Sequence, residues 1–151
     1  MSSLPHITVA TVVERDHRFL MVKENSDGEI VYNQPAGHVE NGETIPDAAI
    51  RETLEETSWH VQPSEFLGVY QYTSPANGVC YVRHCFVAEA IRQEPDFKLD
   101  EDILEAVWLD LNEVRTLAHN AELRSPLVLQ VIEDYLQGKF LTLDIFRTDK
   151  S

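Results

Sequence analysis

The segment "TIPDAAIRETLEET", Thr44 to Thr57, carries its own helix boundaries and constrains how the chain around it can pack. Thr44 followed by Asp47 resembles a capping box, and Pro46 stands in the first turn, where its missing N–H costs nothing. At about 100° per residue, with Glu52 set at zero, Glu56 falls near +40° and Glu55 near −60°. The three carboxylates share one wedge, and Ile50 and Leu54 lie almost opposite. One core face and one concentrated anionic patch are therefore expected. Arg51 precedes Glu55 by four residues, the spacing of an intrahelical ion pair. Glu43, on the loop opened by Gly37, is within reach of the same guanidinium. An arginine fork orients carboxylates without neutralising all of them. A bare E-x-x-E-E is more often a solvated surface than a site. Oxygen donors converging on one point are satisfied by a hard cation, and Mg²⁺ or Mn²⁺ suits them best.

The flanking sequence supplies strands for this helix to pack on. "HITVATVVE" (His6–Glu14) and "RFLMVKEN" (Arg18–Asn25) are β-rich runs joined by a short polar turn, and "SDGE" leads into a third, "IVYNQP". They predict an antiparallel meander. "FLGVYQYTS" (Phe66–Ser74) and "VCYVRHCFVAEA" (Val79–Ala90) flank the hairpin signal "PANG". "EAVWLDL" (Glu105–Leu111) reads as a further strand and "LNEVRTLA" (Leu111–Ala118) as a short helix. "RQEPDFKLDED" (Arg92–Asp102) reads as a surface loop. The C-terminal "SPLVLQVIEDYLQGK" is a punctuated helix, with Ser125 as N-cap, Pro126 in the first turn and Gly138 at its end.

At 151 residues with 43% apolar content, a single domain covering 1–151 with a substantial core is expected. No apolar run approaches the length of a membrane span, and "MSSLPHITVATVV" lacks a basic n-region, so a cytoplasmic location is expected. The net charge of −14 disfavours nucleic acid and anionic membranes as partners. It does not exclude a small anionic substrate, because a bound dication reverses the local field. Cys80 and Cys85 stand an odd number of positions apart on one strand, which argues against a mutual disulfide. Both read as buried filler.

Gly37, then Glu43, Arg51-Glu52 and Glu55-Glu56 stand at the spacing of the Nudix box, G-x5-E-x7-R-E-U-x-E-E-x-G-U, in which U is a bulky aliphatic. The segment 37–59 resembles that box at six polar or glycine positions. Thr53 replaces the aliphatic, Ser58 the second glycine, and Trp59 is aromatic at the last position. None of these supplies a ligand, so the departures bear on local packing, and Ser58 must adopt the turn that ends the helix. "NQPAGHVE" before the box and "LRSPLVLQVIEDYLQGK" after it are similar to the NudJ-type phosphatases of the Nudix superfamily. The resemblance implies an α/β (α+β) fold, the Nudix α/β/α sandwich with a mixed sheet between helices.

The same resemblance implies Mg²⁺-dependent hydrolysis of phosphoanhydrides, with Mn²⁺ as substitute. Nucleoside tri- and diphosphates and 4-amino-5-hydroxymethyl-2-methylpyrimidine diphosphate are the implied substrates, with release of phosphate. It implies Glu52, Glu55, Glu56 and Gly37 at the metal, one carboxylate orienting the attacking water, and Arg51 and Glu43 as orienting groups. Family members add an acid from a loop before a tryptophan-bearing strand. Asp102 is the expected one here, with Glu101 and Glu105 as rivals. Gln34 and His38 flank the box entrance and are candidates for substrate contact. Arg83 can clamp a phosphate bidentately, unless it is an edge-strand surface charge. Tyr32, Tyr70, Tyr72 and Tyr81 are candidates to stack on a heterocycle, unless they are core. His6, His17, His60, His84 and His119 show no ligand spacing and are given no role. Alternatives are pyrophosphohydrolysis of nucleotide sugars, ADP-ribose or dinucleoside polyphosphates, and a nucleotide-sensing module without catalysis. Such modules lack box glutamates, and all are present here. Monomer and homodimer are both compatible with the sequence.

Overall fold

A computed structural model describes residues 4–149, so both extreme ends of the expected 1–151 domain lie outside the described residues. The elements are β1 (His6–Arg15), β2 (Arg18–Ser26), β3 (Glu29–Asn33), β4 (Ala36–His38), α1 (Ile45–Thr57), β5 (Trp59–Thr73), β6 (Cys80–Gln93), β7 (Ile103–Asp110), α2 (Leu111–His119) and α3 (Leu127–Leu136), then a 3₁₀ turn at Leu143–Ile145. The strands run in the order β3-β2-β1-β6-β5, with β4 on β1 and β7 on β2. The sheet is mixed, because β1 pairs with β6 in parallel while the other pairs are antiparallel.

The expected meander forms only in part. Asp16 and His17 both take positive φ in the β1–β2 turn, and Asp27-Gly28 do so in the β2–β3 turn, the conformations that tight hairpins require. Yet β1 and β2 pair only beside their turn, at Glu14–Phe19 and Arg15–Arg18. Beyond it they part. β3 then occupies the free side of β2 from Val22 to Ser26, and β4 that of β1 from Thr8 to Ala10. Buried Gln34 and Pro35 cross between them, with the Thr11 N–H donating to the Pro35 carbonyl at 3.1 Å. This split in the sheet lets groups from its two sides meet.

One side is covered by α3, whose Val128, Val131 and Ile132 are fully buried with Met21, Cys85 and Val114. The Ser125 hydroxyl accepts the Leu127 N–H at 3.2 Å, and Gly138 closes the C-terminal end with φ +74°. The other side packs Val9, Phe66 and Phe86 against Ala48 and Ala49 of α1. β5 is longer than its β-rich core suggested, starting at Trp59 directly after α1. Register shifts near Val61, Pro63 and Phe66 break the alternation that would have marked it. It is an edge strand, where Pro63 is tolerated. Cys85 is fully buried and Cys80 only partly so, and both are free thiols.

Candidate active site and metal centre

The Thr44 hydroxyl caps α1 by accepting the Asp47 N–H at 3.1 Å. The helix ends at Ser58, which takes φ +65° and donates its N–H to Leu54 at 2.9 Å, so serine adopts the left-handed turn expected of it. The helix is rotated from the expected orientation. Its buried residues are Ala48, Ala49, Thr53, Glu56 and Thr57, while Ile50 and Leu54 are only partly buried. Small side chains let the helix approach the sheet closely. In place of the box aliphatic, Thr53 donates to the Ala49 carbonyl at 2.7 Å and meets the Thr11 hydroxyl at 2.9 Å. Two hydroxyls thus satisfy each other at the place of the box aliphatic, and Glu52 and Glu56 turn toward the sheet while the Glu55 side chain stays 37% exposed.

Arg51 organises the acids. Its Nε and Nη2 donate to the two oxygens of Glu43 at 2.6 and 3.0 Å, and Nη1 donates to Glu52 and Glu55, each at 2.9 Å. Nη2 also reaches the His38 carbonyl at 3.0 Å, tying the helix to β4. The hydrogen-bonded guanidinium holds the Glu43 carboxyl below its ordinary range. Glu52 lies directly over Gly37, where any Cβ would collide with its carboxylate. Glycine is required there by this close approach. Glu56 points inward, is 9% exposed, and accepts the Ala36 N–H at 2.9 Å. Burial pushes Glu52 up to about 7 and Glu56 up to about 9, with neighbouring carboxylates adding to the effect.

Among the described residues, oxygens of Glu52, Glu55 and Asp100 lie within 4.8 Å of one another. Asp100, and not the expected Asp102, therefore joins the helix acids. Its N–H donates to the Glu55 carbonyl at 3.0 Å, and its own carbonyl accepts from Ile103, so the loop is clipped to the end of α1 at this residue. Asp100 and Asp102 are both exposed, but the Asp102 carbonyl accepts the Asn25 N–H at 2.9 Å and its carboxylate lies outside the group. Glu101 and Glu105 are exposed as well and lie outside the group.

Arg83 is 8% exposed, which removes the surface-charge alternative. Nη1 donates to the Gln34 oxygen at 3.2 Å and Nη2 to the Asn33 oxygen at 2.9 Å. Burial lowers its pKa, and the charges of Glu24 and Glu56 oppose that shift. Gln34 is 1% exposed and donates to the Val128 carbonyl at 2.7 Å, so it braces Arg83 against α3. Glu24, overlooked in the sequence, is buried nearby and bound by Arg124 at 2.9 Å. His38 is exposed and meets His6 at 2.9 Å. Tyr32 stands apart, in a groove of about 320 Å³ with Leu109, Glu113, Thr116, Leu117, Asn120 and Glu122.

A family model described as NUDIX domain matches residues 4–130. The chain belongs to the Nudix family. Phosphatase NudJ of Escherichia coli strain K12 is 37% identical over 141 residues, covering 93% of this chain and 90% of that protein. A solved Nudix hydrolase from Nitrosomonas europaea superimposes with a TM-score of 0.92 at 44% identity, covering 97% of this chain and 98% of that one. The fold alone is shared with a bifunctional NMN adenylyltransferase/ADP ribose pyrophosphatase of Francisella tularensis, solved with AMP and a manganese ion. That likeness has a TM-score of 0.70 at 21% identity over 89% of this chain and 42% of that one. This Nudix protein is a hydrolase of phosphorus-containing acid anhydrides, similar to the NudJ phosphatase. No helix among the described residues is long and apolar enough to cross a membrane.

Proposed function

We propose that this hydrolase is a Mg²⁺-dependent phosphatase of nucleoside tri- and diphosphates and of small heterocyclic diphosphates such as hydroxymethylpyrimidine diphosphate. The observation that carries the reading is the convergence of Glu52, Glu55 and Asp100 oxygens within 4.8 Å, beside a Glu56 carboxylate turned inward. All these donors are hard oxygens, the set that Mg²⁺ and Mn²⁺ accept. Glu52, Glu55, Glu56 and the Gly37 carbonyl would hold the metal, with Asp100 in the place expected for Asp102. When bound, the dication screens the acids from the substrate's phosphates and stabilises charge that develops on the transferred group.

The remaining work falls to the chain. Arg51 and Glu43 hold Glu52 and Glu55 in place, so that these carboxylates need not reorganise when substrate arrives. Arg83, kept rigid by Gln34 and Asn33, offers its remaining N–H groups to a phosphate oxygen. His38 contacts the substrate beside it. One box carboxylate accepts the proton of the attacking water.

Phosphate and pyrophosphate release are measured over a panel of phosphorylated metabolites with Mg²⁺, for wild type and Glu56→Gln. The reading requires phosphate from nucleoside and heterocyclic diphosphates, and a loss of at least about 100-fold in kcat in the variant. Full activity in Glu56→Gln would place the site elsewhere. Pyrophosphate as the sole inorganic product would replace the phosphatase assignment by pyrophosphohydrolysis.

A further inference from the structure

Side chains alternate along a strand, so Tyr81 and Arg83 of β6 face the same side of the sheet. Their partners follow them: Tyr72 lies opposite Tyr81 and Tyr70 opposite Arg83 on β5, while His6 and Thr8 lie opposite the same pair on β1. That side is the one α3 covers, since Tyr70 donates to Asp134 at 2.8 Å and Gln34 donates to Val128. The apolar packing under α3 includes Ala10, Val12 and Cys85. Further toward the starts of β1 and β6 the surface is made of rings. His6 and Tyr81 meet edge to face at 5.5 Å, His38 and Tyr81 at 6.3 Å, and His6 and His38 at 5.0 Å. Asn77 donates to the Tyr81 hydroxyl at 3.0 Å and steadies its ring. None of His6, His38, Tyr72 and Tyr81 joins a core cluster, and His38 is exposed.

Arg83 bounds this floor on its buried side. Among the described residues no carboxylate lies within ion-pair distance of it, because Glu24 is taken by Arg124 and Glu56 by the Ala36 N–H. A buried cation held by neutral amide oxygens leaves a place for an arriving anion. Two residue steps along the strand separate Tyr81 from Arg83, about 6.6 Å, which spans a ring and a nearby phosphate joined by a short linker.

Resting on the reading that Arg83 receives a phosphate, we propose that His6, His38, Tyr72 and Tyr81 form the subsite for a flat nitrogen heterocycle carried by the diphosphate substrate. The rings supply faces and edges for stacking, and the paired imidazoles supply a donor and an acceptor to the heterocycle's rim. Phosphate grip and heterocycle grip then reside on adjacent rows of the same three strands.

The test compares two non-cleavable probes by calorimetry in Mg²⁺: methylenediphosphonate and α,β-methylene-UDP. In wild type the nucleoside is expected to tighten binding by about 10-fold, the scale of one stacked base. Tyr81→Ala should erase that gain, while Tyr81→Phe, which keeps the ring, should retain most of it. Imidazole NMR signals of His6 and His38 should move with α,β-methylene-UDP and stay in place with methylenediphosphonate. Equal affinities of the two probes for wild type overturn the proposal, as does a Tyr81→Ala variant that weakens both probes alike. These readouts need no turnover. Loss of the catalytic reading through an active Glu56→Gln therefore registers separately from loss of this subsite.

Discussion

The two helices flanking the sheet are attached by different physics. α3 presents Leu127, Val128, Val131 and Ile132, all buried, to an apolar floor that includes Phe19, Met21 and Leu67. Each such side chain contributes about 1.5–3 kcal/mol by leaving water, so area alone holds this helix. α1 buries two alanines, two threonines and a glutamate. Little apolar area is removed there, and two carboxylates are driven above their ordinary range. Polar bonds place α1: Thr53 to Thr11, Glu56 to Ala36, and Arg51 to three glutamates and the His38 carbonyl. One helix stabilises the fold, and the other is positioned at a cost that a dication would offset.

Ile132→Ala should produce the largest change. A fully buried isoleucine is emptied, so unfolding free energy should fall by about 3 kcal/mol in urea melts, with activity per folded molecule retained. A loss below about 1 kcal/mol would mean that α3 is not held by area. Next, Gly37→Ala should do the opposite. Its Cβ occupies the space of the Glu52 carboxylate, so kcat should drop by about 10-fold or more while the melting temperature changes little. Unchanged kcat would show that Glu52 need not lie over β4.

The smallest expected effect is the pH dependence of the metal-free protein. Glu52 and Glu56 have pKa values raised in the folded state, from the ordinary 4.5 to about 7 and about 9. Folding therefore favours their protonated forms, and this contribution is complete below the unfolded pKa and lost as pH rises through the folded values. Between pH 5 and pH 9 the melting temperature should fall by about 5 °C, and Mg²⁺ at pH 9 should restore it. A melting temperature that rises over the same window would contradict burial of these carboxylates.

The box residues were legible because their chemistry is local. Gly37 sits on the short β4, Glu43 on the loop after it and Arg51, Glu52, Glu55 and Glu56 on α1, where short spacing nearly dictates proximity, and the ion pairs read from that spacing form. The acid closing the cluster was not legible. Asp100, Glu101 and Asp102 are consecutive, and only a backbone bond from Asp100 to Glu55 selects among them. His6 was passed over because its partners, His38 and Tyr81, come from distant strands. The first half of β5 was hidden by three register shifts.

The rotation of α1 could not be read from its helical wheel. A wheel ranks faces by hydrophobicity, and by that measure Ile50 and Leu54 should point inward. What decides the orientation is the shape of the surface beneath: a split between β1 and β2, a glycine at 37, and a hydroxyl at Thr11 that needs a partner. The sequence by itself determined the family, the sheet-forming runs and the set of carboxylates, because periodicity and motif spacing are properties of neighbours along the chain. Only the tertiary structure decided that Glu52 and Glu56 turn inward, that Asp100 approaches them, and that Arg83 is buried on the α3 side of the sheet, on the same face as the rings of His6, His38 and Tyr81. Each of those depends on which strands part and which pair across long stretches of chain.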